Sequence, residues 1–223
     1  MYVNIINEDI QKNIKSILDY WFGDLNDSTI LNREIEPFST YFNRWYGKKP
    51  EIDIEIKEKF EPILINVTSK GDNWEVTLHE WASYPYGLIA LTILLDQFPR
   101  NMYREKVEMY KHDALGLLVS EFARSKGVEN LPIVHQMFLS VPLMHVENLT
   151  LQEQMYSHFK RFVEIAKQRS PHNLPFWNFA VDYAKLHVEV IREFGRFPHR
   201  NAILERLTTR EEILYLKENK VFF

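Results

Sequence analysis

Apolar residues recur at the α-helical period along this chain, and no stretch shows the alternation of a half-buried strand. Ile10, Ile14, Ile17, Leu18 and Trp21 follow the spacing of one helix face, with Asn7 placed to cap the helix and Gly23 to stop it. Phe38, Tyr41, Phe42 and Trp45 lie between Pro37 and Gly47, and a further helix over 52–67 is expected to bend at Pro62. Thr77-Leu78-His79-Glu80 and Thr150-Leu151-Gln152-Glu153 read as capping boxes that open two more. Leu88 to Leu95 is apolar on nearly every side, so the helix expected over 86–97, with Pro85 suited to its first turn, belongs at the centre of the molecule. Helices are also expected over 104–126, 132–141, 176–194 and 209–219. Phe179, Ala180, Tyr183, His187 and Val190 share the inner face of the third of these, and Gly127 and Gly195 act as stops. The sum is an all-α chain of about eight to ten helices. No linker forces a split, so residues 1–223 are expected to form a single domain.

Several chemistries are excluded at once. With 7 Gly in 223 residues, there is no Gly-x-Gly-x-x-Gly, no Gly-Lys-Ser/Thr phosphate loop and no Gly-x-Ser-x-Gly elbow. With no Cys there is no disulfide scaffold, thiolate metal site or Cys nucleophile. His79-Glu80 opens like a zinc-protease helix, but Ser83 stands where the second His is needed. No cofactor is expected. The N-terminal residues lack the basic and apolar regions of a leader, and the longest apolar run is far short of the ~20 residues that span a bilayer. The expectation is a cytoplasmic protein without a membrane partner. A net charge of −4 speaks against nucleic acid. Arg192, Arg196, His199, Arg200 and Arg206 nevertheless form a basic cluster that suits a discrete anion.

Two segments carry the chemistry: Leu95-Asp96-Gln97-Phe98-Pro99-Arg100-Asn101-Met102-Tyr103-Arg104 and Phe194-Gly195-Arg196-Phe197-Pro198-His199-Arg200-Asn201. Each follows an apolar helix and contains Phe-Pro, then Arg-Asn. Because the residue before Pro disfavours the α region, both segments are expected to leave the helix there. Their Arg side chains would then lie beyond a helix C-terminus, where cations are favoured. Asp96 is within reach of Arg100, either as an ion pair that pins the turn or as the group that aims Arg100 at an anionic ligand. Asn101 and Asn201 read as turn residues. His112 and Asp113 are expected mid-helix on different faces, Asp113 pairing with an Arg. His145 and Glu147, after Pro142, are candidates for acid–base work but too few for a metal site. His187 reads as a core histidine. Arg196, His199 and Arg200 repel one another unless Asp96, Asp113, Glu147 or a ligand lies among them.

The chain resembles a bacterial domain-of-unknown-function family with a tetratricopeptide-like helical fold. The resemblance is carried by Leu18 to Gly23, Leu94 to Arg104, His112-Asp113-Ala114, His145-Val146-Glu147 with Gln152-Glu153, and His187 to Asn201. It implies an array of antiparallel helix pairs and no established activity. The Trp-x-x-Leu-Gly-x-x-Tyr consensus at a 34-residue period is not readable, so a peptide groove would be an analogy of fold alone. The expected function is binding of a small anion or an acidic peptide end by Asp96, Arg100, Arg104, His145, Glu147, Arg196, His199 and Arg200. The competing expectations are a hydrolase or transferase acting on a phosphorylated or carboxylated metabolite, with His145 or His199 as acid/base, and a scaffold without a pocket. Oligomeric state is left open.

Overall fold

The computed structural model describes residues 7–69, 74–84 and 86–218, and all of its regular structure is helical. Helix α1 (Glu8–Trp21) starts where the Asn7 side chain accepts from the backbone N–H groups of Asp9 and Ile10, and it buries Ile10, Ile14, Ile17 and Trp21. Helix α2 (Phe38–Tyr46) ends at Gly47, and α3 (Pro50–Thr68) contains Pro62. Helix α4 (Trp74–Ala82) begins ahead of the expected cap. Thr77 is buried in its middle, so the Thr77–Glu80 pattern is no capping box; the true start adjoins residues outside those described, and Pro85 itself lies outside the described residues.

The central apolar segment is α5 (Gly87–Thr92), one π-helical turn (Ile93–Gln97) and α6 (Phe98–Met102) in unbroken succession. Ala90, Leu91, Ile93, Leu94 and Leu95 are wholly buried. The chain therefore does not leave the helix at Phe98, which keeps α dihedrals, and Arg100 lies inside a helix rather than beyond one. The π turn gives the physical reason. Phe98 N–H reaches back to Ile93 O, which shifts the register so that Pro99, with no N–H and a ring that would crowd a carbonyl in a regular turn, is accommodated.

The helix expected over 104–126 is also shorter. Glu105 takes a positive φ of 63°, a 3₁₀ turn follows at Val107–Tyr110, and α7 (Asp113–Ser125) starts only at Asp113, whose carboxylate suits the positive end of the helix dipole. His112 is thus the residue before the helix, and Asp113 its first. Helices α8 (Ile133–Phe138) and α9 (Val141–Met144) are short. Helix α10 (Leu149–Arg169) is capped by Asn148, whose side chain accepts from Leu151 N–H, rather than by Thr150, and the Glu153 of the expected box holds Arg192 instead; Gln152 spends its amide on the carbonyls of Leu143, Met144 and Val146. Helix α11 (Leu174–Phe194) returns alongside α10 after a 3₁₀ turn and stops at Gly195, whose φ of 68° suits glycine. Its Phe179 is 55% exposed, not on the inner face. A 3₁₀ turn, Pro198–Arg200, leads towards α12 (Arg210–Glu218). Here Phe197 is extended, but the helix has already ended at Gly195, so the second Phe-Pro follows the exit rather than causing it.

One apolar cluster runs from Ile10 to Val188, and a smaller one joins Val190, Ile191 and Phe197. Among the described residues no helix is long and apolar enough to cross a membrane.

Candidate functional site

Asp96 sits in the π turn, fully buried, where Gly116 of α7 presses against it; a Cβ on Gly116 would lie 3.3 Å from the Asp96 Cβ. His145, directly after α9, brings Nδ1 to 2.7 Å from Asp96 Oδ1, and the Gln97 amide donates to the other carboxylate oxygen. Arg100, one helical turn on, donates to the Asp96 carbonyl and places Nη1 3.6 Å from Asp96 Oδ1. It then grips Asp113 with two bonds, of 2.9 and 3.0 Å. Burial pushes the Asp96 carboxyl up, but its pairing with His145 and the charge of Arg100 outweigh it and hold the group down at about 2. Burial and the Arg100 charge together push His145 down, against the pull of Asp96. The result is an ionised carboxylate holding a neutral imidazole.

Arg200 closes the other side. Its Nη1 donates to the His145 carbonyl at 2.9 Å, and its guanidinium lies over the rings of Phe197 and Tyr110, 4.5 and 4.9 Å from their centroids. It is only 8% exposed, its Nε is buried with no hydrogen-bond partner, and no carboxylate among the described residues forms an ion pair with it. Burial and the nearby Arg100 charge push its pKa down. His199 is held neutral by burial and by Arg200, at about 4. His187 is buried at about 3, its Nδ1 2.9 Å from the Tyr183 carbonyl.

The eight candidates do not converge. Asp96, Arg100, His145 and Arg200 meet, and His199 adjoins Arg200. Arg104 instead holds Asp53 of α3 with bonds of 2.6 and 2.8 Å, a carboxylate it shares with Asn101. Arg196 holds Glu212 of α12 at 2.6 and 2.9 Å, and Asn201 donates to that carboxylate too. Glu147 accepts from Phe197 N–H and from both terminal nitrogens of Arg206. Asn101 and Asn201 therefore tether distant carboxylates rather than cap local turns.

Sequence reasoning missed Asp53, Glu212 and Tyr110 as partners. Two signals were present: Thr209-Arg210-Glu211-Glu212, which is a true capping box, and Gly116, a glycine inside an otherwise good helix.

Two surface depressions lie elsewhere. One, of about 480 Å³, is open and lined by Phe194, Arg196, Thr209 and Glu212; the other, of about 140 Å³, is lined by Tyr84, Tyr86, Leu88, Val128 and Leu131 among others. The Asp96 cluster is instead nearly closed, with the Arg100 and His145 side chains 17% and 16% exposed at its edge. Among the described residues no group of three or more His, Asp or Glu is placed to hold a metal.

The family described as bacterial protein of unknown function (DUF924) matches residues 17–220. A solved structure of a protein of unknown function from Agrobacterium tumefaciens is similar over 95% of this chain and 100% of its own, at 26% identity and a TM-score of 0.69. No curated protein matches.

Proposed function

This chain belongs to the DUF924 family of bacterial proteins of unknown function, and we propose that it binds a small oxyanion between Arg200, Arg100 and His145. The observation that carries this reading is Arg200: a guanidinium with a buried, unpartnered Nε and no ion-paired carboxylate among the described residues. Asp113 and Glu147 act on this charge only from beyond ion-pair distance, and an anionic ligand in direct contact would offset the remaining cost of burying it. Arg104, Arg196 and Glu147 serve this site as pins, since each already holds an opposite charge. A single domain of paired helices would present it, and the α10–α11 hairpin and the large apolar cluster from Ile10 to Val188 support that arrangement.

The enzymatic reading draws on a different observation. A buried carboxylate that fixes a neutral His is how a general base is oriented, so His145 would take a proton from a nucleophile while Arg200 steadied the anionic group. Binding comes first because it rests on Arg200 alone, whereas the enzymatic reading also needs a nucleophile placed beside His145.

The test is thermal unfolding of wild type and Arg200→Met with phosphate, sulfate, glycolate and acetate. Near 100 times its dissociation constant a ligand adds about 2.7 kcal/mol, a rise of roughly 5–10 °C for a chain of this size. The wild type should show such a rise with at least one oxyanion and the variant none. An equal rise in both would move the site elsewhere.

A further inference from the structure

The hydrogen-bonding chemistry around Asp96 narrows the ligand class, on the premise that the oxyanion site above exists. An ionised carboxylate can only accept, so the proton shared over the 2.7 Å between His145 Nδ1 and Asp96 Oδ1 belongs to the ring nitrogen. The Gln97 amide donates to the other Asp96 oxygen and Arg100 spends its two-bond grip on Asp113, so Oδ1 is left to accept from the ring N–H. A neutral imidazole protonated at Nδ1 has only a lone pair at Nε2. Arg200 is the opposite: every polar atom it has is a donor. A ligand spanning the two groups must therefore offer an acceptor to one and a donor to the other.

We infer that the site selects oxyanions bearing their own hydrogen-bond donor, either a protonated phosphate group or a hydroxycarboxylate, over oxyanions that only accept. Sulfate and acetate can satisfy Arg200, but they set an anionic lone pair against the His145 lone pair. Selection here comes from that repulsion as much as from attraction. Asp96 is then a specificity-determining residue that never touches the ligand, because it dictates which ring nitrogen carries the proton.

Calorimetric titration near neutral pH at constant ionic strength, with the full chain, separates the cases. Phosphate keeps a proton where sulfate has none, and glycolate carries the hydroxyl that acetate lacks. Wild type should bind the donor-bearing member of at least one pair tenfold or more tightly than its partner, and the pair that responds identifies the source of the donor. In Asp96→Asn the new amide can accept from Gln97 and donate to Nδ1, which moves the ring proton to Nε2. The preference should then collapse or invert. His145→Gln, whose amide both donates and accepts, should bind both members alike. Equal binding of each pair by wild type would overturn the inference while leaving the oxyanion site standing. So would an unchanged preference in folded Asp96→Asn, or in His145→Gln. No binding of any of the four would overturn both.

Discussion

Arg100 and Arg200 occupy like positions in two similar motifs, yet the fold gives them opposite energetics. Arg100 satisfies Asp113 with both terminal nitrogens and helps neutralise Asp96, so Arg100→Met strands two carboxylates in a largely buried site. Removing one partner of such a pair costs about 3–5 kcal/mol. Arg200→Met gives up one bond to a carbonyl, about 1.5–3 kcal/mol, and two aromatic contacts, but it also removes an unpaired buried charge of comparable or larger cost. Ligand-free denaturant unfolding should show Arg100→Met strongly destabilised and Arg200→Met within about 1 kcal/mol of wild type, or more stable. A large loss in Arg200→Met would mean that its charge is compensated in the free protein, and the oxyanion reading would lose its support. The sequence made both arginines visible but not this difference. Arg104 finds its carboxylate 51 residues back and Arg196 finds one 16 residues ahead. Pairings at such separations are products of tertiary packing, and local spacing does not encode them.

At the scale of elements, the Thr-x-x-Glu patterns that start at Thr77, Thr150 and Thr209 look alike in the sequence, and of these the one at Thr209 acts as a capping box. Thr209 Oγ1 accepts from Glu212 N–H at 3.2 Å, while Glu212 Oε2 accepts from Thr209 N–H at 2.8 Å. The same Glu212 holds Arg196 and Asn201, so this cap also docks α12 against the end of α11. Thr209→Ala should cost about 1 kcal/mol in a melt, and Thr150→Ala, one residue past the start of α10, only a few tenths. Equal costs would contradict the assignment. Helix existence was legible almost throughout, because the 3.6-residue apolar period is strong in α1, α3, α10 and α11. Helix limits were less so where a neighbour overrode the local signal. The π turn lets the chain pass through Pro99, and a positive φ at Glu105 breaks the run that Val107 and Tyr110 appeared to continue. Gly116 is the exception, a local residue that did report a tertiary fact: α7 lies so close to Asp96 that a methyl group would be crowded.

At the scale of the whole molecule, burial of neutral histidines sets a pH dependence. His135, His158 and His199 are each pushed down to about 4, chiefly by burial, and His187 to about 3. Asp27 pulls His135 the other way, and Arg124 and Arg161 reinforce the shift of His158. Arg200, Lys48 and Arg206 do the same for His199, against Glu147. In the unfolded chain each returns to an ordinary value near 6.5. Above that value neither state binds the protons, and the stability of the fold is fully present. As the pH falls from about 6.5 towards 4, the unfolded chain takes up protons that the folded chain refuses, so stability is lost with acid. Each histidine contributes at most about 1.4 kcal/mol per pH unit in that window, less where solvent still reaches the ring. Asp96 and Glu212, both held at about 2, work in the same direction but begin to matter only below about pH 4, so the two groups separate on a pH axis. Urea midpoints measured at pH 7 and pH 5 should therefore differ by an amount equivalent to roughly 3–5 kcal/mol, a large part of the stability of an ordinary domain. A midpoint that stays flat across this interval would show that water reaches these rings in the folded protein, and that the closed polar cluster around His187, His199 and Arg200 is looser than its geometry implies.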